Sequence, residues 1–150
     1  MGYTTDFTGR IDIAPPLNPS EITYLRKFAD TRHNKRVGGP YALSNEQFGP
    51  DVIDDWDHDG APGYWCNWEP TGDGAALEWN GGEKFYHSPE WMRYLIDHFL
   101  KPGARAVGHD AFERFTFDHV LNGTIEAQGE GADDQWELLV VDNVVTARPA

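Results

Sequence analysis

The chain has 150 residues, of which 39% are hydrophobic and 13% aromatic, a length and composition that predict one globular domain with a substantial core. Its 25 acidic residues against 12 basic ones give a formal net charge of −13, which disfavours binding to nucleic acid. No apolar run approaches the roughly 20 residues of a membrane span and the first residues lack the basic start and apolar centre of a signal peptide, so the expectation is a cytoplasmic protein with no membrane partner.

Tyr3, Thr5, Phe7, Gly9, Ile11 and Ile13 fall on one parity, predicting a strand with a weak point or bulge at Gly9 that Pro15 and Pro16 stop. Asn18-Pro19-Ser20-Glu21 then reads as a helix start: Asn18 caps, Pro19 takes the first position, and Glu21 reaches back to the cap amide. Ile22, Leu25, Phe28 and Ala29 form the inward stripe of a helix expected to run to about Arg32. Around its end lie Arg26, Lys27, Arg32, Lys35 and Arg36, the one basic patch. Cations there complement the helix dipole and pair with the chain's own carboxylates, or they hold a phosphate or acidic ligand. Gly38-Gly39-Pro40 does not reproduce a phosphate loop.

Residues 41–63 show no sustained periodicity and read as an irregular surface segment. Within it, Asp55-Trp56-Asp57-His58-Asp59-Gly60 matches the opening of a calcium loop, in which alternate carboxylates converge on one cation and a glycine makes the sharp turn. The twelfth position needs a bidentate glutamate and here holds Cys66, so no tight calcium site is expected. Residues 64–68 and 75–79 read as an aromatic hairpin around a loop at 70–74, followed by a Gly81-Gly82 turn. Ser88 is placed as the cap of a second helix, with Pro89 at its first position, Met92, Leu95, Ile96 and Phe99 as its apolar stripe, and Pro102-Gly103 as its stop. Hairpin and helix together are the expected core, with Trp79 meeting the helix stripe. The remainder reads as a meander with strands over 115–121, 124–128, 136–141 and 144–147. Asn122-Gly123 and Asp142-Asn143 are its hairpin turns. The predicted fold is α+β: a single domain in which an antiparallel sheet, the aromatic hairpin plus the C-terminal meander, packs with two helices.

Residues 2–9 at the start, Trp79-Asn80-Gly81-Gly82-Glu83-Lys84-Phe85-Tyr86 in the middle, and Gly123-Thr124-Ile125 through Trp136 to Asn143-Val144-Val145 at the end resemble a family of small acidic bacterial and bacteriophage proteins without an established activity. The resemblance covers most of the chain, least over 44–62, and implies no cofactor or catalytic residue. A phage connection implies a small accessory protein acting on a host partner.

Catalysis needs a nucleophile, a base and a pocket, and the raw residues are Cys66, His58, His87, His98, His109 and His119. None stands in a recognised constellation, and no G-x-S-x-G or H-E-x-x-H run occurs. Cys66, the single cysteine, excludes an intrachain disulfide and alternates with aromatics, which reads as an inert core thiol. His98 and His119 lie beside apolar stripes and read as structural. No catalytic, cofactor-binding or metal-binding residue is assigned. Arg32, Lys35, Arg36, Tyr41 and Trp56 are the candidate ligand or partner surface. Two functions stay open: a non-enzymatic interaction module showing an acidic or aromatic surface to another protein, a basic one among them, or to its own copy; and a small-molecule binder or enzyme with a pocket bordered by residues 32–36 and Gly81-Gly82.

Overall fold

The computed structural model describes residues 2–150. Its centre is the first strand, β1 (Asp6–Ala14), in which Phe7, Ile11 and Ile13 point inward while Thr8, Arg10 and Asp12 stay exposed. That alternation lets β1 lie with one face on the core and both edges paired. One edge takes β6 (Val120–Gln128) antiparallel along its full length, from Asp6 opposite Gln128 to Ala14 opposite Val120. The other takes β5 (Ala76–Trp79), which pairs in turn with β4 (Trp68–Pro70). With β7 (Gln135–Val141) and β8 (Val144–Pro149) the six-stranded order is β4-β5-β1-β6-β7-β8. All of its pairings are antiparallel. The fold is an α+β single domain, as expected from the sequence.

Two glycines let β1 and β6 approach closely. Gly9 faces Ile125 and Gly123 faces Ile11, with φ of +109° and +154°. A Cβ on Gly9 would sit 2.8 Å from the Thr124 carbonyl oxygen, and one on Gly123 2.7 Å from that of Arg10. Asn122-Gly123 is therefore not the turn expected from the sequence: it lies inside β6, and the Asn122 carboxamide oxygen accepts from the Asp142 amide at 2.9 Å. Asp142-Asn143 is a turn, with φ of +47° and +71° joining β7 to β8. The strand expected over 115–121 begins only at Val120; before it Phe115 packs on Phe112 and Tyr24 in a loop.

Helix α1 (Pro19–Ala29) starts as read, with the Glu21 amide donating to Asn18 Oδ1 at 2.9 Å and the Asn18 amide donating to Glu21 Oε1 at 2.8 Å. It buries Leu25, Phe28 and Ala29, with Ile22 half-buried. Helix α2 (Ser88–Leu95) buries Trp91, Met92, Tyr94 and Leu95 and continues as a π-helical turn, Ile96–Leu100, whose Lys101 amide donates to the Ile96 carbonyl at 3.1 Å. Its cap differs from the expectation. His87, not Ser88, takes the cap position in a left-handed conformation, because Ser88 is drawn inside the helix and its carbonyl accepts from the Trp68 indole at 2.8 Å. The aromatic hairpin is also shorter than expected: the Tyr64 carbonyl accepts from the His33 amide at 2.7 Å, which withdraws residues 64–67 from the sheet. Among the described residues no helix is long and apolar enough to cross a membrane.

Apart from the main sheet stands a small antiparallel pair, β2 (Lys35–Arg36) with β3 (Val52–Asp54). Strands this short hold little by their own ladder, so side chains must fix them.

Candidate functional site

The side chains that fix the small sheet are the arginines of the basic patch. Arg36 is buried, and its guanidinium bonds Asp51 Oδ1 at 3.0 Å and the carbonyls of Arg32, Glu46 and Gln47 at 3.2, 3.1 and 3.3 Å. One planar fork thus gathers the excursion that leaves α1 and returns at β3. Arg32 grips Asp55 bidentately at 2.9 and 3.2 Å, and its guanidinium carbon lies 3.8 Å from the Tyr64 ring centroid and 5.0 Å from that of Phe48. The hydrogen bond to Asp55 raises the Arg32 pKa, and with Asn34 it holds the Asp55 carboxyl below its ordinary range. Both arginines are spent on internal pairs. Lys35 alone of the predicted cluster at 32–36 projects an exposed cation.

The carboxylates of the calcium-like run do not converge. Asp55 turns to Arg32, Asp57 Oδ1 accepts from the Asp59 amide at 2.8 Å, and upstream Asp54 Oδ1 accepts from the Trp56 amide at 2.9 Å. Among the described residues no group of three or more metal-ligating side chains is placed to hold an ion.

Tyr41 is half-buried: its hydroxyl lies 2.6 Å from His98 Nδ1 and its ring packs edge-on against Phe99 and Phe112. Trp56 is the opposite case, 87% exposed. Val37 and Phe48, at 75% and 69%, are the next most exposed large apolar side chains, and Ile53 at 60% lies on β3, between Phe48 and Trp56 in sequence. Four water-facing apolar groups therefore sit on the segment that Arg32 and Arg36 brace. The same segment carries Glu46, Asp54, Asp57 and Asp59, which take part in no ion pair among the described residues. Trp56 was visible in the sequence as an aromatic in a polar loop; Val37, Phe48 and Ile53 were not singled out, because isolated apolar residues without periodicity carry no signal of exposure.

Burial disposes of most of the catalytic raw material. Cys66 is fully buried, which pushes its thiol up to about 12 and leaves it protonated at neutral pH. Burial likewise lowers His33 and His98 to about 4, aided at His33 by Arg36 and at His98 by Arg105, so both are neutral. His119 is paired with Glu21 inside the fold.

Two clefts stand out. An open groove of about 550 Å³ runs between the start of α2 and β7–β8, with Phe7, Phe85, Pro89 and Trp136 in its walls. A second cleft of about 400 Å³ lies between residues 58–65 and the loop at 83–87. Neither is lined by Arg32, Arg36 or Gly81-Gly82, although Tyr64, on which Arg32 stacks, forms a wall of the second. Comparison with protein-family models, with curated proteins and with solved structures finds no match.

Proposed function

We propose that the chain is a non-enzymatic interaction module that docks on a basic protein surface through the braced segment of residues 37–59. The observation that carries this is Trp56, an indole 87% exposed on a segment held by a buried arginine. Exposed apolar groups concentrated on one segment mark interaction sites, and aromatic residues dominate the energetics of such contacts. The unpaired carboxylates around it select a partner of opposite sign, as does a net charge of −13, and the same charge opposes association with a second copy.

The test is capture from cell extract on the immobilised chain, beside Trp56→Ser and Phe48→Ser. Both variants keep the parent's unfolding midpoint because neither residue packs in the core. The expected result is a retained protein of basic charge, released as salt rises from about 0.05 to about 0.5 M and lost from both variants. Retention unchanged by Trp56→Ser, or a partner of acidic charge, overturns the reading.

A further inference from the structure

The cleft between residues 58–65 and the 83–87 loop is walled by Tyr64, Trp65 and Tyr86, with His58 and Lys84 at its sides. Beneath it lies Trp91, whose indole Nε1–H is buried and has no hydrogen-bond partner. Buried N–H groups are nearly always paired, and leaving one unpaired costs the free protein the desolvation of that group. Gly63 and the edge of His87 lie beside this N–H: a Cβ built on Gly63 would be 3.8 Å from Trp91 Nε1 and 3.7 Å from His87 Cδ2. His87 is largely exposed and can swing aside without disturbing the core.

The lining also says what would satisfy that donor. Aromatic walls favour a flat ring. The indole calls for an acceptor on that ring, which excludes a purely cationic ligand. His58 Nδ1 lies 3.0 Å from the His33 carbonyl and donates to it, which in the neutral tautomer leaves Nε2 as an acceptor for a donor on the ligand. Glu83 and Lys84 both line the cleft and offset one another, so neither an anion nor a cation is favoured locally, and the −13 charge of the chain disfavours an anion. We propose that this cleft binds a neutral planar heterocycle bearing an amide edge, of the kind a nucleobase or a pyridine carboxamide presents, whose carbonyl displaces the His87 edge and accepts from Trp91 Nε1–H. The volume of about 400 Å³ suits one such ring system. The cleft shares only His58 with the docking segment and stands whether or not that segment has a partner.

Uracil and nicotinamide are the probes, titrated into the uniformly ¹⁵N-labelled chain while the indole resonance of Trp91 is followed, with benzoate and benzylamine as charged comparisons. The expected result is a shift of that resonance by uracil or nicotinamide with a Kd tighter than about 1 mM, and at least about tenfold weaker binding of both charged compounds. Gly63→Ala adds a methyl at ordinary contact distance above the donor and leaves the fold intact; it weakens binding at least about tenfold. No movement of the Trp91 resonance at about 10 mM of either neutral probe, benzoate binding as tightly as they do, or undiminished binding by Gly63→Ala each overturns the assignment.

Discussion

His119 Nε2 lies 2.8 Å from Glu21 Oε2, with both side chains shut off from solvent, and the other ring nitrogen lies 2.6 Å from the Pro15 carbonyl oxygen. Two acceptors facing one imidazole require a proton on each nitrogen, so the pair is charged. Burial is the largest single influence and opposes the charge on both partners. Their mutual hydrogen bond, the bonds to the Asn18 and Thr116 amides and the Pro15 carbonyl, and the charge attraction together outweigh it: His119 is held above its ordinary 6.5 and Glu21 below its ordinary 4.5. The stabilisation from His119 is complete below pH 6.5 and is lost as pH rises through its folded value. That from Glu21 is present above pH 4.5 and is lost as pH falls through its folded value. Glu21→Ala is expected to cost about 3–5 kcal/mol near pH 6, the usual cost of stranding one partner of a buried pair, and less near pH 9. Urea unfolding at the two pH values measures it; an equal loss at both shows that only the helix cap was removed.

His33 and His98 have the opposite sign. Both are neutral in the fold, with pKa values near 4, while the unfolded chain protonates them below 6.5. Their contribution is therefore lost as pH falls from 6.5 toward 4. Proton NMR titration of the imidazole resonances is expected to show His33 and His98 unprotonated at about pH 5.5 and His119 as the last of the three to lose its proton as pH rises. His98 titrating with His119 in one step would mean that the Tyr41 contact does not shield it.

Trp68 and Trp79 pair across the hairpin but differ in burial. Trp68 is 1% exposed, packs on Phe7 and Phe85 at centroid distances of 5.1 and 4.9 Å, and donates its indole proton to the Ser88 carbonyl. Trp79 is half-buried, touching Phe7 at 5.6 Å and donating to the Gly82 carbonyl at 3.1 Å. Trp68→Ala is expected to destabilise the fold by about 3–5 kcal/mol, and Trp79→Ala by about half of that, in equilibrium urea unfolding. The ordering reverses if the Trp79 bond to Gly82 positions the whole 80–87 loop.

Signals that act over a few residues were legible. The Asn18–Glu21 cap, the stripe of α2 and the Asp142-Asn143 turn each depend on neighbours within about a turn of chain, and each formed as read. What depended on distant partners was not. Asn122-Gly123 carries strong turn chemistry, but nine register pairs with β1 override it. Residues 64–67 alternate like a strand, but His33 claims the Tyr64 carbonyl first. At the candidate surface, pairing of Arg32 and Arg36 with the chain's own carboxylates is one of two readings the sequence leaves open, but the partners were not legible because Asp55 and Asp51 lie 23 and 15 residues away. The unpaired indole of Trp91 leaves no trace in the sequence, since tryptophan on an apolar stripe looks the same whether or not its N–H is bonded.

Arg36 is the place to separate the small sheet from the rest of the fold. Arg36→Met keeps most of the side-chain length but leaves the three carbonyls that the guanidinium gathers without their donor, while the 40% exposed Asp51 turns to water, a loss of about 1–3 kcal/mol. The main sheet shares no ladder with β2 and β3, so the loss is local. In hydrogen exchange, the Val37 amide, which donates to the Asp51 carbonyl at 2.9 Å, and the Val52 amide, which donates to that of Gly49 at 3.1 Å, are expected to lose their protection. Amides of Ile11 and Ile125 in the main sheet keep theirs. Under the proposed docking role, capture of a basic protein is expected to fall with the protection of the Val37 amide although Trp56 is untouched, because an exposed indole on an unbraced loop must be ordered again at each encounter. Equal loss of protection at Ile11 would show that the small sheet folds as one unit with the core, and the docking segment would then owe its rigidity to the whole domain rather than to Arg36.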